Sequence, residues 1–161
     1  MHRFIAALPL VLAPFVLAAC AGGPKPPSPE ALRAVGVEQT GVLLSHARET
    51  RDTRGCAAAA PGLRVVAAMG EGQEPAQHEL GDCLLSMTGA SATETALFRE
   101  EGLFWLTRAA YAGNARAQRA LAVQYGAATA SDSERAMALK WALVYGRNAE
   151  ADLYGFKALP A

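Results

Sequence analysis

"WLTRAAYAGNARAQRALAVQYG", Trp105–Gly126, holds one Trp followed by Ala and Gly at short intervals, with only two Leu. Paired helices explain that composition. Residues 105, 109 and 112 share one face of a helix, and 117, 121 and 124 share a face of the next. Small side chains at a crossing let two helix axes approach to the lower part of the ~8–10 Å range. Gly113 suits the C-cap position and Asn114 can cap the following helix, so the turn is short. Trp105 then fills the space left between successive pairs. An aromatic binding box is the sharper alternative for Trp105; we read it as structural core.

The stretch recurs along the chain. Ala76-Gln77-His78-Glu79-Leu80 returns as Ala117-Gln118-Arg119-Ala120-Leu121, an offset of 41, and Trp105 returns as Trp141, an offset of 36. Ala109, Ala110, Gly113 and Ala117 follow Trp105, with a fainter echo at Ala67, Ala68, Gly72 and Ala76. The five-residue difference predicts an insertion within "TGASATETALF", where Gly, Ser and Thr favour a longer loop.

The pattern W-x3-A-A-x2-G-x3-A-x3-L resembles the Sel-one-like repeat, a relative of the tetratricopeptide repeat built from antiparallel helix pairs. The resemblance covers Gln73–Gly146, about two units, and departs from the family near Ala90 and at Gly102, where the family usually has Ala. It implies an all-α protein, a short α-solenoid with two clear repeats (73–146) and degenerate flanking helices within a domain spanning 30–161. Ala76, Leu80, Trp105, Ala109, Ala110, Gly113, Ala117, Leu121 and Trp141 would be its structural signature. Residues 147–161 would cap the last apolar face. Positions two on from Ala76 and Ala117 lie about 200° around the helix. His78, Asp82 and Arg119 therefore fall on the side that commonly lines the family's concave groove.

Upstream, Ser28-Pro29-Glu30 predicts a helix start, followed by Leu32, Val35, Val42, Leu43 and Ala47 at loosely helical spacing. "RETRDTRGC" reads as a polar exit and turn. Ala57–Ala60 reads as broken by Pro61-Gly62, with a short apolar helix over Leu63–Met69. No run alternates with period two between hairpin turns, so no strand is expected. Ser131-x-x-Glu134 predicts a capping box ahead of Trp141.

The N-terminus reads "MHRFIAALPLVLAPFVLAAC". His2 and Arg3 precede an uncharged apolar run, Phe4–Ala19, of 16 residues interrupted by Pro9 and Pro14. A membrane span needs about 20, so the run suits a signal peptide. Leu17-Ala18-Ala19-Cys20 resembles the lipobox of bacterial lipoproteins. That resemblance implies a signal peptide over 1–19, lipidation of Cys20 (diacylglyceryl, with palmitate as the usual acyl chain), and a tether over 20–29. The other reading is an ordinary signal peptide cut after Ala19. "AGGPKPPSPE" is too rich in Gly and Pro for helix or sheet, and at about 3.1 Å per residue its residues 21–28 span about 25 Å. In the lipoproteins that this segment resembles, Asp after the lipidated Cys signals inner-membrane retention, so the resemblance, with Ala21 in that place, implies the outer membrane facing the periplasm. Of three Cys, lipidation of Cys20 leaves Cys56 and Cys83. An even remainder in an oxidising compartment predicts one disulfide, with two buried thiols as the rival reading. No C-x-x-C accompanies His46 and His78, so no metal site is expected.

The chain has 161 residues, 52% hydrophobic and 19% charged, with a formal net charge of zero. That balance suits one globular domain and opposes a basic nucleic-acid binder. Arg33, Arg48, Arg64, Arg99, Arg116 and Arg135 are scattered and read as solvated. Ser45 and His46, as helix neighbours, face different ways and make no nucleophile–base pair. Glu100 and Glu101 read as a solvated face. No phosphate loop, H-E-x-x-H or G-x-S-x-G occurs, so neither an enzyme nor a cofactor is expected. The resulting expectation is an anchored module that binds an envelope protein or peptide. A structural assembly lipoprotein and an activator of a cell-wall enzyme are the alternatives.

Overall fold

Ser28 opens the described chain by accepting a hydrogen bond from the Ala31 N–H at 3.1 Å, with Pro29 in the first helical turn. The computed structural model describes residues 28–153. The expected signal peptide, Cys20, the tether up to residue 27 and residues 154–161 lie outside the described residues. Within them the fold is all-helical: α1 (Pro29–Arg54), α2 (Cys56–Ala67), α3 (Glu74–Ser86), α4 (Ala92–Tyr111), α5 (Ala115–Tyr125), α6 (Asp132–Gly146) and α7 (Ala149–Leu153). Each helix from α1 to α5 packs on the next, α3 also touches α5, and α5 touches α7.

Caps follow the sequence closely. Ser91 accepts from the Glu94 N–H, Asn114 from the Ala117 N–H, and Ser131 exchanges bonds with Glu134 in a complete capping box. Gly113, at φ 100°, lets the chain leave α4 in a conformation other residues avoid.

Three boundaries differ from expectation. "RETRDTR" is not an exit but the last turns of α1, and Gly55 alone makes the turn. Arg48 and Arg51 both bond Glu79 of α3, which draws this polar segment onto the protein as helix. Pro61-Gly62 does not break α2, which runs unbroken from Cys56. Burial of Ala59, Ala60, Leu63, Val66 and Ala67 outweighs the ~3 kcal/mol cost of an internal Pro, whose ring is exposed. Gly62 meets Ala47 of α1, where an added Cβ would lie 3.4 Å from the Ala47 Cβ. The insertion loop expected near Ala90 is not seen, because α4 begins at Ala92 and runs for 20 residues.

The apolar interior falls into clusters. One joins Ala47 of α1 to Leu63 and Val66 of α2 and to Leu80 and Leu84 of α3. Another joins Leu106 and Ala109 of α4 to Leu121 of α5 and Trp141 of α6. Ala115, Tyr145 and Ala151 form a small third. Trp141 is buried as a core residue should be. Trp105 is half-buried instead, packed against the edge of the first cluster with its Nε1–H donating to Glu101 at 3.2 Å. The buried face of α4 is 102, 106, 109 and 110, so Ala112 is exposed and Leu106 takes the interior place expected for Trp105.

Gly102 shows why. A Cβ on Gly81 of α3 would fall 2.6 Å from Leu106 Cγ, and one on Gly102 would fall 3.0 Å from Leu85 Cγ. The two helices meet backbone to backbone at these glycines, and Leu106 seats directly on α3.

Polar groups tie helices that are not neighbours in the chain. Glu79 receives Arg48 and Arg51 of α1, and Arg64 of α2 forms a two-bond pair with Glu101 of α4, both at 2.7 Å. These arginines and Glu101 are therefore partnered rather than merely solvated. Gln77 and Gln118 are buried, and each donates to a carbonyl near the end of the preceding helix, Ala67 and Ala110. Cys56 and Cys83 join α2 to α3, with their Sγ atoms 2.10 Å apart. Closing 27 positions stabilises a fold by about 3 kcal/mol on the loop-entropy model.

Candidate functional site

Burial of Ala76, Gln77 and Leu80 fixes how α3 faces the protein, and leaves His78 and Asp82 on its outer side. On α5, burial of Ala117, Gln118 and Leu121 leaves Arg116, Arg119 and Ala120 at the margin. Contact between α3 and α5 brings the two sets together. His78, Asp82, Arg116, Arg119 and Ala120 line one cleft of about 310 Å3. The size is at the low end for sites that hold a small molecule or a few side chains of a partner.

His78 and Asp82 are one helical turn apart, with His78 Nε2 3.0 Å from Asp82 Oδ2. The imidazole is 12% exposed and the carboxylate 51%, so Asp82 faces the solvent and orients a largely covered ring. Arg116 and Arg119 are both engaged in contacts within the chain. Two guanidiniums, an imidazole and one carboxylate give the cleft donors in excess of acceptors. Such a surface is suited to recognising a polar partner through directed hydrogen bonds.

The three residues singled out from the repeat, His78, Asp82 and Arg119, thus share one recess. Arg116 and Ala120 were not singled out. Arg116 sits three residues before Arg119, one helical turn away, and extending the same facing argument by one turn reaches it.

Elsewhere, His46 lines a separate recess on α1 with Glu38, Val42, Ser45 and Glu49. Glu101, beside α2, has its carboxyl held below the usual range, first by the hydrogen bond from Arg64 and further by Trp105 Nε1–H. The same bonds hold the Arg64 guanidinium above its ordinary value. Among the described residues no group of His, Cys, Asp and Glu could hold a metal ion, and no helix is long and apolar enough to cross a membrane. Compared with known proteins, the chain matches no family model, no curated protein and no solved structure.

Proposed function

We propose that this chain is a lipid-anchored module of the bacterial cell envelope that binds an envelope protein or peptide in the cleft between α3 and α5. The carrying observation is that His78 and Arg119, equivalent positions of the internal repeat, line the same recess. In this reading α2–α3 and α4–α5 are two antiparallel pairs of a short solenoid, and α6–α7 begins a third. Short turns between packed helices support it. So do the matching roles of Gln77 and Gln118 and of Asn114 and Asn148, each Asn accepting an N–H of the helix it precedes. A layer formed by α3, α5 and α7 then presents the groove, as stacked helical repeats do.

Anchoring rests on Leu17-Ala18-Ala19-Cys20 and the Pro-rich tether behind it. Cys20→Ala is expected to block lipidation and leave an uncleaved or mislocalised precursor. Normal outer-membrane fractionation of that variant contradicts the anchor.

Binding is tested by replacing His78, Asp82 and Arg119 jointly with Ala. In-cell crosslinking and mass spectrometry on the unaltered chain first identify the partner. The triple variant is expected to lose that crosslink while its thermal midpoint changes little. Retained capture, or unfolding of the variant, rejects the cleft as the binding site.

A further inference from the structure

α4 carries a second surface, made by residues that do not line the cleft between α3 and α5. Leu97, Phe104 and Tyr111 are 58%, 56% and 67% exposed. Their seven-residue spacing places them within about 40° of arc on one helical face. Large apolar side chains aligned in water and bordered by charges mark an interaction surface. Glu100 and Arg108 supply the border. Each lies four residues from Phe104, one on either side, and both are exposed. Among the described residues neither side chain makes an ion pair or a hydrogen bond. Around Phe104, the residues Glu100, Leu103, Thr107, Arg108 and Tyr125 line a shallow recess of about 420 Å3.

The order of these residues identifies the partner. Reversing the helix about Phe104 exchanges Leu97 with Tyr111 and Glu100 with Arg108, so large side chains map onto large ones and Glu100 onto its opposite charge, with Tyr111 also accepting from Lys140 Nζ of α6 at 2.6 Å. A two-fold interface requires that self-complementarity, because residue i must meet residue j while j meets i. A partner of another kind imposes no such palindrome. We propose that this face of α4 is the contact surface of a symmetric homodimer whose two-fold axis passes beside Phe104. The two Phe104 rings meet at the axis and enter the recesses beside them. Leu97 covers Tyr111 of the copy, and two Glu100–Arg108 pairs close the rim. Rim charges act chiefly on register and partner choice, while the contacts of Leu97 with Tyr111 on either side of the axis supply most of the affinity. The surface is independent of the cleft and of the binding proposed there.

The full chain carries the test in three forms. Phe104→Cys, oxidised gently in the membrane fraction, is expected to yield a disulfide-linked dimer on non-reducing gels. Val65→Cys, an exposed position on α2, is expected to yield none. Glu100→Arg and Arg108→Glu, each combined with Phe104→Cys, place two like-charged pairs across the interface and are expected to lower the dimer fraction by about tenfold. Combining the two reversals restores opposite charges and is expected to restore the dimer, an outcome a folding defect cannot produce. Light scattering on the unmodified chain is expected to find two chains per particle. The inference is overturned by equal linking at positions 104 and 65. A double reversal no better than either single one overturns it too, as does a position-104 adduct with the mass of another protein, or a monomer at every concentration.

Discussion

Gly81 and Gly102 are the residues on which the crossing of α3 and α4 depends. In an exposed helix, exchanging Gly for Ala gains about 0.5–1 kcal/mol, because Gly has more backbone freedom to lose. At Gly81 that gain is reversed. The new Cβ lands 2.6 Å from Leu106 Cγ and 3.0 Å from the Gly102 carbonyl, inside a packed core. Gly81→Ala is expected to cost about 1–3 kcal/mol by forcing the two helices apart. Gly36→Ala is expected to stabilise by about 0.5–1 kcal/mol, since nothing lies within 4 Å of its added Cβ. Urea midpoints measure both, and equal effects of one sign would refute the close-crossing account. Sequence reading flagged Gly102 as unusual yet did not pair it with Gly81. Periodicity reports which face of a helix is buried, but not how near the opposing backbone comes. For the same reason the spacing points to Trp105 as interior, whereas Leu106 occupies that place and the indole lies half-buried at the edge.

At the level of elements, helix starts were legible and several helix extents were not. A start is encoded within four residues, as at Ser28, Asn114 and Ser131, where a side chain meets an N–H close by in sequence. The last turns of α1 depend instead on Glu79, at least 28 positions away, and no local window contains it. The unbroken α2 depends likewise on burial against α1 and α3. The link from Arg64 to Glu101 is of the same long-range kind, and it gives a pH test. The Glu101 carboxyl is held below its ordinary value when folded. Its contribution is therefore complete above the unfolded carboxylate pKa of about 4.3, and is lost as pH falls through the lower folded value. The pair is about one-third exposed, so screening keeps the contribution to about 1 kcal/mol or less. Glu101→Gln is expected to lower the thermal midpoint at pH 7 and to flatten its decline on acidification below about pH 5. An unchanged acid slope in the variant would show that the pair does not support the fold.

For the whole molecule, the helical class follows from periodicity, the Cys56–Cys83 pair from the even cysteine remainder, and the placing of His78, Asp82 and Arg119 on one side from the facing of α3 and α5. What the cleft holds was not readable, since the partner's chemistry is not encoded in this chain. The disulfide fastens α2 to α3, and α3 supplies half of the cleft. Replacing both Cys56 and Cys83 with Ala is expected to lower stability by about 3 kcal/mol, with full helicity retained at low temperature. A stability unchanged under non-reducing conditions would mean the bridge does not constrain the unfolded chain.

The central claim is that the cleft between α3 and α5 is where a partner sits. A photo-crosslinking amino acid placed at Ala120, inside the cleft, addresses it in living cells, with the same probe at exposed Val65 of α2 as the reference. The account expects one adduct of discrete mass from position 120 and none from position 65, and it expects that adduct to vanish when His78 and Asp82 are both replaced by Ala. No adduct at position 120, the same adduct at both positions, or an adduct that survives the two replacements would contradict it.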